Sequence, residues 1–247
     1  PTFDIGAKSD DELITLLGDR NVHIRETAQR LLAERSTPEI IAKLRRGVAG
    51  EIKSPVPRAH AAFALVSCDL AKHKDGLQIC RELIDHADPA VAQTGLKGLR
   101  SHFIRGPVDE PRAGWMAEFL VPMLEERETP PAVRLEAAIT VARIAEQRGG
   151  SYVAYGEFLG KSLVHLPDDP VYARIVWKAL REMMRWHPFN GASLLETPGV
   201  LATSAGKELL PRIVDYTLTG PMFDPKGAAA IYEAVTKDKS IGAEVGA

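Results

Sequence analysis

The sequence predicts an all-α fold, a right-handed α-solenoid of antiparallel helix pairs. Three observations carry that expectation. Five segments of similar pattern recur along the chain. A helix stands before each of them. Finally, no segment shows sustained strand-like alternation or a hairpin dipeptide between β-branched runs. The segments are "GDRNVHIRETAQRLL" (18–32), "EIKSPVPRAHAAFAL" (51–65), "IDHADPAVAQTGLKGL" (84–99), "ETPPAVRLEAAITV" (128–141) and "PDDPVYARIVWKAL" (167–180). Each begins with a polar or proline-bearing turn. An anchor residue follows: Ile24, Pro57, Val91, Val133 and Tyr172, with successive gaps of 33, 34, 42 and 39 residues. Four positions on comes a second column, mostly small: Ala28, Ala61, Gly95, Ala137 and Val176. Four further on comes a larger apolar column: Leu32, Leu65, Leu99, Val141 and Leu180. Positions i, i+4 and i+8 lie on one helical face. Small residues in the middle let a neighbouring helix approach, and the large ones fill the space between layers.

The elements follow in order. "SDDELITLLG" opens with Ser9 and Glu12 at capping-box spacing and closes at Gly18. The first repeated segment then supplies its partner helix. "TPEIIAKLRRG" offers Thr37 as cap, Pro38 at the first helical position and Gly47 as the end. "DGLQICRELIDH", "GWMAEFLVPMLEER" and "SYVAYGEFLGKSLVHL" precede the later segments in the same way. This gives about five helix pairs over residues 1–187. The stretch "WHPFNGASLLETPGVLATSAG" (186–206) breaks the rhythm with two prolines and three glycines and reads as an irregular connector. Two weaker helices follow near 203–218 and 226–238, so that 188–247 continues or caps the stack. The tail "KSIGAEVGA" reads as frayed or linker-like.

Bulk properties narrow the function classes. The chain has 247 residues, 45% of them hydrophobic and 26% charged, an ordinary globular balance. Lys plus Arg is 31 against 33 Asp plus Glu, a net charge of -2. Dedicated nucleic-acid binders usually carry a basic excess, so nucleic acid is disfavoured as a partner. No run of 18 apolar residues exists to span a membrane. The chain starts at Pro1, and the expectation is a processed chain or a piece of a longer one. Cys68 and Cys80 sit in apolar helical contexts without metal or haem spacing. They read as buried thiols, with a disulfide between neighbouring helices as the alternative.

A helix, a "D-x-N/D-P-x-V-R"-type turn and a second helix with small and apolar columns resemble a HEAT repeat. "ETPPAVRLEAAITVARIAE" (128–146) and "HADPAVAQTGLKGL" (86–99) carry the likeness most closely. The resemblance covers roughly 9–186 and implies a HEAT/armadillo-like superhelix, a class that says little about activity. A narrower likeness concerns residues 11–65. "DELITLLGDRNVHIRETAQRLLAER" followed by "PRAHAAFAL" is similar to the HEAT-like segment of large exported haem-binding proteins of planctomycete-type bacteria. In those, a sorbosone/glucose-dehydrogenase-like propeller precedes the segment and a c-type cytochrome domain follows. Arg25 to Leu32 match, whereas the aromatic-rich turn is replaced here by Asn21-Val22-His23-Ile24. The haem-attachment CxxCH is missing, so the resemblance implies only the linker module, exported with its neighbours; without it the expectation is cytoplasmic. It transfers no catalytic, haem-binding or other cofactor residue, and no cofactor is expected.

Candidate site residues fall in two sets. Arg25, Arg58 and Arg134 follow their anchors directly, with Asp19 and Asp88 in the corresponding turns. In stacked repeats such arginines can bond the carboxylate or carbonyls of the adjoining turn, forming a structural ladder. Arg30, Lys97, Arg100, Arg174, Lys178 and Arg181 occupy similar outward positions on the second helices, which typically line the concave face of a solenoid. They read as a discontinuous basic stripe for an acidic peptide or phosphate backbone, interrupted by Phe63 and Ile139. The seven histidines form no HExxH or H-x-H pair, and His60 and His102 read as structural. No GxSxG or SxxK occurs. "SAGKE" (204–208) lacks the earlier glycine and the preceding strand of a phosphate-binding loop. The resulting expectation is a non-catalytic scaffold or spacer whose partner is a protein or a flanking domain. The competing class is a HEAT-like lyase or DNA glycosylase with an unidentified cleft.

Overall fold

A computed structural model describes residues 4–105, 120–124, 126, 128–148, 155–166, 169–220 and 224–237. The described residues are all-helical, with no strand among them. The chain divides into two compact units, Pro1–Pro107 and Val108–Ala247.

In unit 1, α1 (Asp10–Leu16) begins at the expected capping box: the Ser9 hydroxyl accepts from the Glu12 N–H, and the Glu12 carboxylate accepts from the Ser9 N–H. Helix α2 (Val22–Arg35) starts where the Asn21 side chain accepts from the His23 N–H at 3.0 Å, and it stops at Ser36 in a left-handed conformation. Thr37 caps α3 (Pro38–Arg46), with Pro38 at its first position. Gly47 caps the end of this helix, as expected, without the positive φ of a terminating glycine. Its φ is helical, and the chain runs through a wider turn, Gly47–Glu51, closed by the Ile52 N–H on the Gly47 carbonyl at 2.9 Å. The positive φ falls on Gly50 instead. Gly47 is small because the Ile52 side chain lies 2.9 Å from where its Cβ would be. Helices α4 (Pro55–Ser67), α5 (Gly76–Ile84) and α6 (Pro89–Arg105) complete the unit.

Each first helix packs on the helix that follows it, α1 on α2, α3 on α4 and α5 on α6. The second helices also pack in sequence, α2 on α4 and α4 on α6. The two inner columns make this possible. Ala28, Leu32, Ala61, Leu65, Gly95 and Leu99 are all buried. A Cβ on Gly95 would stand 2.7 Å from the Ile84 backbone nitrogen, so α5 and α6 approach to a distance that only glycine permits.

Unit 2 contains the helical stretch 120–124 and α7 (Pro131–Arg148), α8 (Tyr155–His165), α9 (Pro170–Met184), α10 (Phe189–Leu195), α11 (Ser204–Thr219) and α12 (Pro225–Lys237). Helices α7, α9 and α11 pack in one succession and α8, α10 and α12 in another. Ala137, Val141, Val176 and Leu180 are buried, as are their column mates in unit 1, whereas among the anchors Val91, Val133 and Tyr172 are buried and Ile24 and Pro57 are half-buried. Trp177 of α9 meets Tyr216 of α11 edge-on at 6.2 Å between ring centroids.

The irregular connector expected at 186–206 is largely ordered as α10 and a short 3₁₀ turn, Val200–Ala202. Its order comes from contacts distant in sequence. Fully buried Asn190 accepts from the Gly156 N–H at 3.2 Å and donates to the His187 carbonyl at 3.2 Å. A Cβ on Gly156 would fall 2.2 Å from the Asn190 carbonyl oxygen, and one on Gly160 would fall 2.2 Å from Thr197 Oγ1. The "SAGKE" glycine serves the next helix: the Gly206 N–H donates to the capping Thr203 hydroxyl at 2.9 Å. The expected helices near 203–218 and 226–238 correspond to α11 and α12. Most of the helix expected at 114–127, the start of that at 151–166 and the tail beyond 237 lie outside the described residues.

Candidate partner-binding face

Two sets of candidate residues sit on this framework: the arginine series at the turns, and the basic residues on the outward faces of the second helices. At the turns, Arg25 donates to the carbonyls of Asp19 at 2.7 Å and Arg20 at 3.1 Å. The Asp19 carboxylate is occupied locally by the Asn21 N–H. Arg58 reaches forward to the Asp88 carboxylate of the next turn at 3.2 Å, both side chains about one-fifth exposed. Asp88 also accepts from the Ala90 N–H at 3.0 Å. Arg134 is 2% exposed and donates to the Glu126 carbonyl, with no carboxylate partner among the described residues. Burial makes its cation harder to keep, lowering its pKa.

Arg25 has a second role. Its Nε–H donates to His60 Nε2 at 3.1 Å, which leaves Nδ1 as the protonated nitrogen and directs it to Gln29 Oε1 at 3.1 Å. The network joins α2 to α4. Burial and the neighbouring guanidinium lower the His60 pKa, against a smaller opposing pull from Glu26. His102 is buried in α6. Cys68 and Cys80 are free, buried thiols, so the disulfide alternative falls. Burial raises both, Cys80 to about 12.

The outward face of unit 1 is defined by positions two, six and nine residues after each anchor. On α2 these are Glu26, Arg30 and Ala33; on α4, Ala59, Phe63 and Val66; on α6, Gln93, Lys97 and Arg100. The register is real in space at its centre. The Lys97 ammonium lies over the Phe63 ring, 5.2 Å from the centroid, joining equivalent positions of adjacent helices. Phe63 is 38% exposed. Lys97 and Arg100 are half-buried along the same face. Arg30 is exposed and held by Glu34 one turn on, at 2.6 Å. Phe63, which breaks the basic stripe when the sequence is read alone, is therefore part of the surface. Only the alignment of anchors signals this.

The other three stripe residues lie on α9 in unit 2. Arg174 and Arg181 are exposed, Lys178 is half-buried, and Arg181 pairs with Glu182 at 2.9 Å. Unit 2 also carries an apolar groove of about 280 Å3 between α11 and α12, lined by Val214, Leu218, Ile231, Tyr232 and Val235 among others. Neither surface assembles a nucleophile with a base, and the described residues hold no group of three or more His, Cys, Asp or Glu placed for a metal. No described helix is long and apolar enough to cross a membrane. Comparison with known proteins finds no family model that matches the chain and no curated protein that matches it significantly.

Proposed function

We propose that this chain is a non-catalytic interaction scaffold, built as a HEAT/armadillo-like solenoid, and that α2, α4 and α6 present its partner-binding face in unit 1. The observation that carries the reading is the Phe63–Lys97 contact. It sets a partly exposed ring and a cation side by side on neighbouring helices, at equivalent positions of a repeated pattern. Exposed aromatic and cationic side chains are the residue types that anchor protein interfaces. Burial of the small and large columns in both units supports the repeat reading. The partner is a protein or a flanking domain of the same polypeptide. The likeness of residues 11–65 to planctomycete-type haem-binding proteins supports a place as an exported spacer, fixing the geometry between a dehydrogenase-like propeller and a cytochrome.

The test uses the purified chain as bait in cross-linking capture, beside a Phe63→Ser/Lys97→Glu double variant and a Lys237→Glu control in unit 2. The expected result is a partner captured by wild type and control and lost from the double variant. Equal capture by all three, or turnover of a small substrate with no partner at all, overturns the reading.

A further inference from the structure

We infer that the groove between α11 and α12 is a self-association surface, which meets the same surface of a second copy of this chain across a two-fold axis passing Pro211. The inference concerns unit 2 alone and stands independently of the partner-binding face on unit 1.

Helices α11 and α12 are the last described members of the two rows in unit 2. The side they present beyond those rows is apolar. Val214 and Leu218 of α11, with Ile231, Tyr232 and Val235 of α12, line the groove of about 280 Å3. Tyr232 is the most exposed large hydrophobic side chain among the described residues, at 71%, and Leu218 is 54% exposed. Apolar surface gathered in one place and rimmed by polar groups marks an interaction site. A groove with a projecting ring on its own edge also suits a two-fold contact, in which each copy offers the same patch. Tyr232 of each copy then covers apolar surface of the other.

The charges on the rim select a second copy. Lys207, Pro211 and Asp215 follow one another at i, i+4 along α11, and all three are exposed. Lys207 and Asp215 are of opposite sign, and neither forms an ion pair among the described residues. The neighbouring Glu208 and Arg212, by contrast, pair with each other at 2.8 Å. Lys207 and Asp215 stand eight residues apart, roughly 12 Å along the helix, with Pro211 at the midpoint. A two-fold axis at that midpoint, perpendicular to α11, lays the α11 helices of the two copies antiparallel. Each Lys207 then faces the Asp215 of the other copy, and both unpaired charges are answered by one operation. Packed helix axes lie roughly 8–10 Å apart, a gap that a lysine and a carboxylate can bridge. Parallel pairing in the same register would oppose Lys207 to Lys207 and Asp215 to Asp215, so the charges also fix the direction.

Sedimentation velocity of the whole purified chain, from micromolar to millimolar concentration, tests this. The variants are Lys207→Asp, Asp215→Lys, the swap Lys207→Asp/Asp215→Lys, and Tyr232→Glu, each checked for folding by circular dichroism. The expected wild-type result is a concentration-dependent dimer. Each single reversal should weaken it roughly tenfold, because the axis turns one substitution into two like-charge contacts. The swap should restore the dimer, and Tyr232→Glu should abolish it. A wild type that is monomeric at every concentration overturns the inference. So does a dimer indifferent to the single reversals or to Tyr232→Glu. Failure of the swap to restore a dimer that both single reversals weaken also overturns it, since the two residues then do not face each other. A monomeric chain that captures a different protein, and loses it in Tyr232→Glu, assigns the groove to that protein instead.

Discussion

Units 1 and 2 present the same inner columns and both use glycine for a close helix approach, Gly95 in one and Gly156 in the other, but they differ in how their arginines tie the turns. In unit 1 the stack is tied at its turns and between its first helices by polar groups: Arg25 on carbonyls, Arg58 on Asp88, Arg45 bidentate on Glu82. In unit 2 the equivalent arginine, Arg134, is buried against a carbonyl, and α8 meets α10 through glycines. Polar ties tolerate small displacements, because a side chain can follow its partner. A glycine against a backbone carbonyl cannot. The two units should therefore respond alike to changes in the shared columns and differently to changes in what surrounds them.

The shared columns carry the largest expected effect. Leu65 and Leu180 are both fully buried at the third-column position. Leu65→Ala and Leu180→Ala should each cost about 3 kcal/mol, the usual range for a large-to-small change with a residual cavity. Urea titration followed by circular dichroism measures this. A near-neutral effect at either position breaks the equivalence of the two columns. Next comes Gly156→Ala, whose new methyl would meet the Asn190 carbonyl at 2.2 Å. The expected loss is about 2 kcal/mol, an overpacking penalty confined to unit 2. Equal stability of this variant would show that α10 is not clamped as described.

The arginines sharpen the contrast through the sign of the change. Arg58→Met removes a partly buried ion pair and should cost about 1 kcal/mol, less at high salt. Arg134→Met, at the equivalent position, replaces a buried cation that has one carbonyl partner. It should be neutral or stabilising by up to about 1 kcal/mol, because the desolvation of the guanidinium is no longer incurred. Destabilisation of both by the same amount would remove this contrast between the two positions.

Much of this was legible in sequence, and the boundary of legibility is physical. The columns could be read because burial at i, i+4 and i+8 constrains residue size, and Ala28, Leu32, Ala61 and Leu65 obey it. Caps at Ser9 and Thr37 act within a few residues, so these helix starts in unit 1 follow local rules. Helix α10 escaped because it spans only two turns and is ordered by Asn190, Gly156 and Gly160, distant partners with no local signature. The same holds for Gly47, whose size is set by Ile52 folding back. At the candidate face, Lys97 and Arg30 stood out by charge. Phe63 looked like an interruption until the register of α4 against α6 placed its ring beneath the Lys97 ammonium.

The smallest effect concerns pH and separates the units by a single hydrogen-bonded ring. His60 accepts from Arg25 and so must be neutral on Nε2 for this hydrogen bond between α2 and α4 to persist. Its folded pKa lies below the ordinary value of 6.5, which the unfolded chain keeps. Between those two values the unfolded chain binds the extra proton, so the stability contributed is complete above pH 6.5. It declines as pH falls below 6.5 toward the folded pKa. Unit 1 should therefore lose stability on mild acidification, with a proton uptake on unfolding that His60→Gln abolishes. Glutamine keeps an acceptor for Arg25 and a donor for Gln29 without titrating, so the substitution removes the slope and not the contact. The measurement is the midpoint of urea unfolding at pH 7.5 and pH 5.5 for both chains, each pH spanning roughly one unit from the ordinary histidine value. An acid-induced shift that survives in His60→Gln assigns the proton elsewhere and removes this ring from the account of how α2 is held to α4.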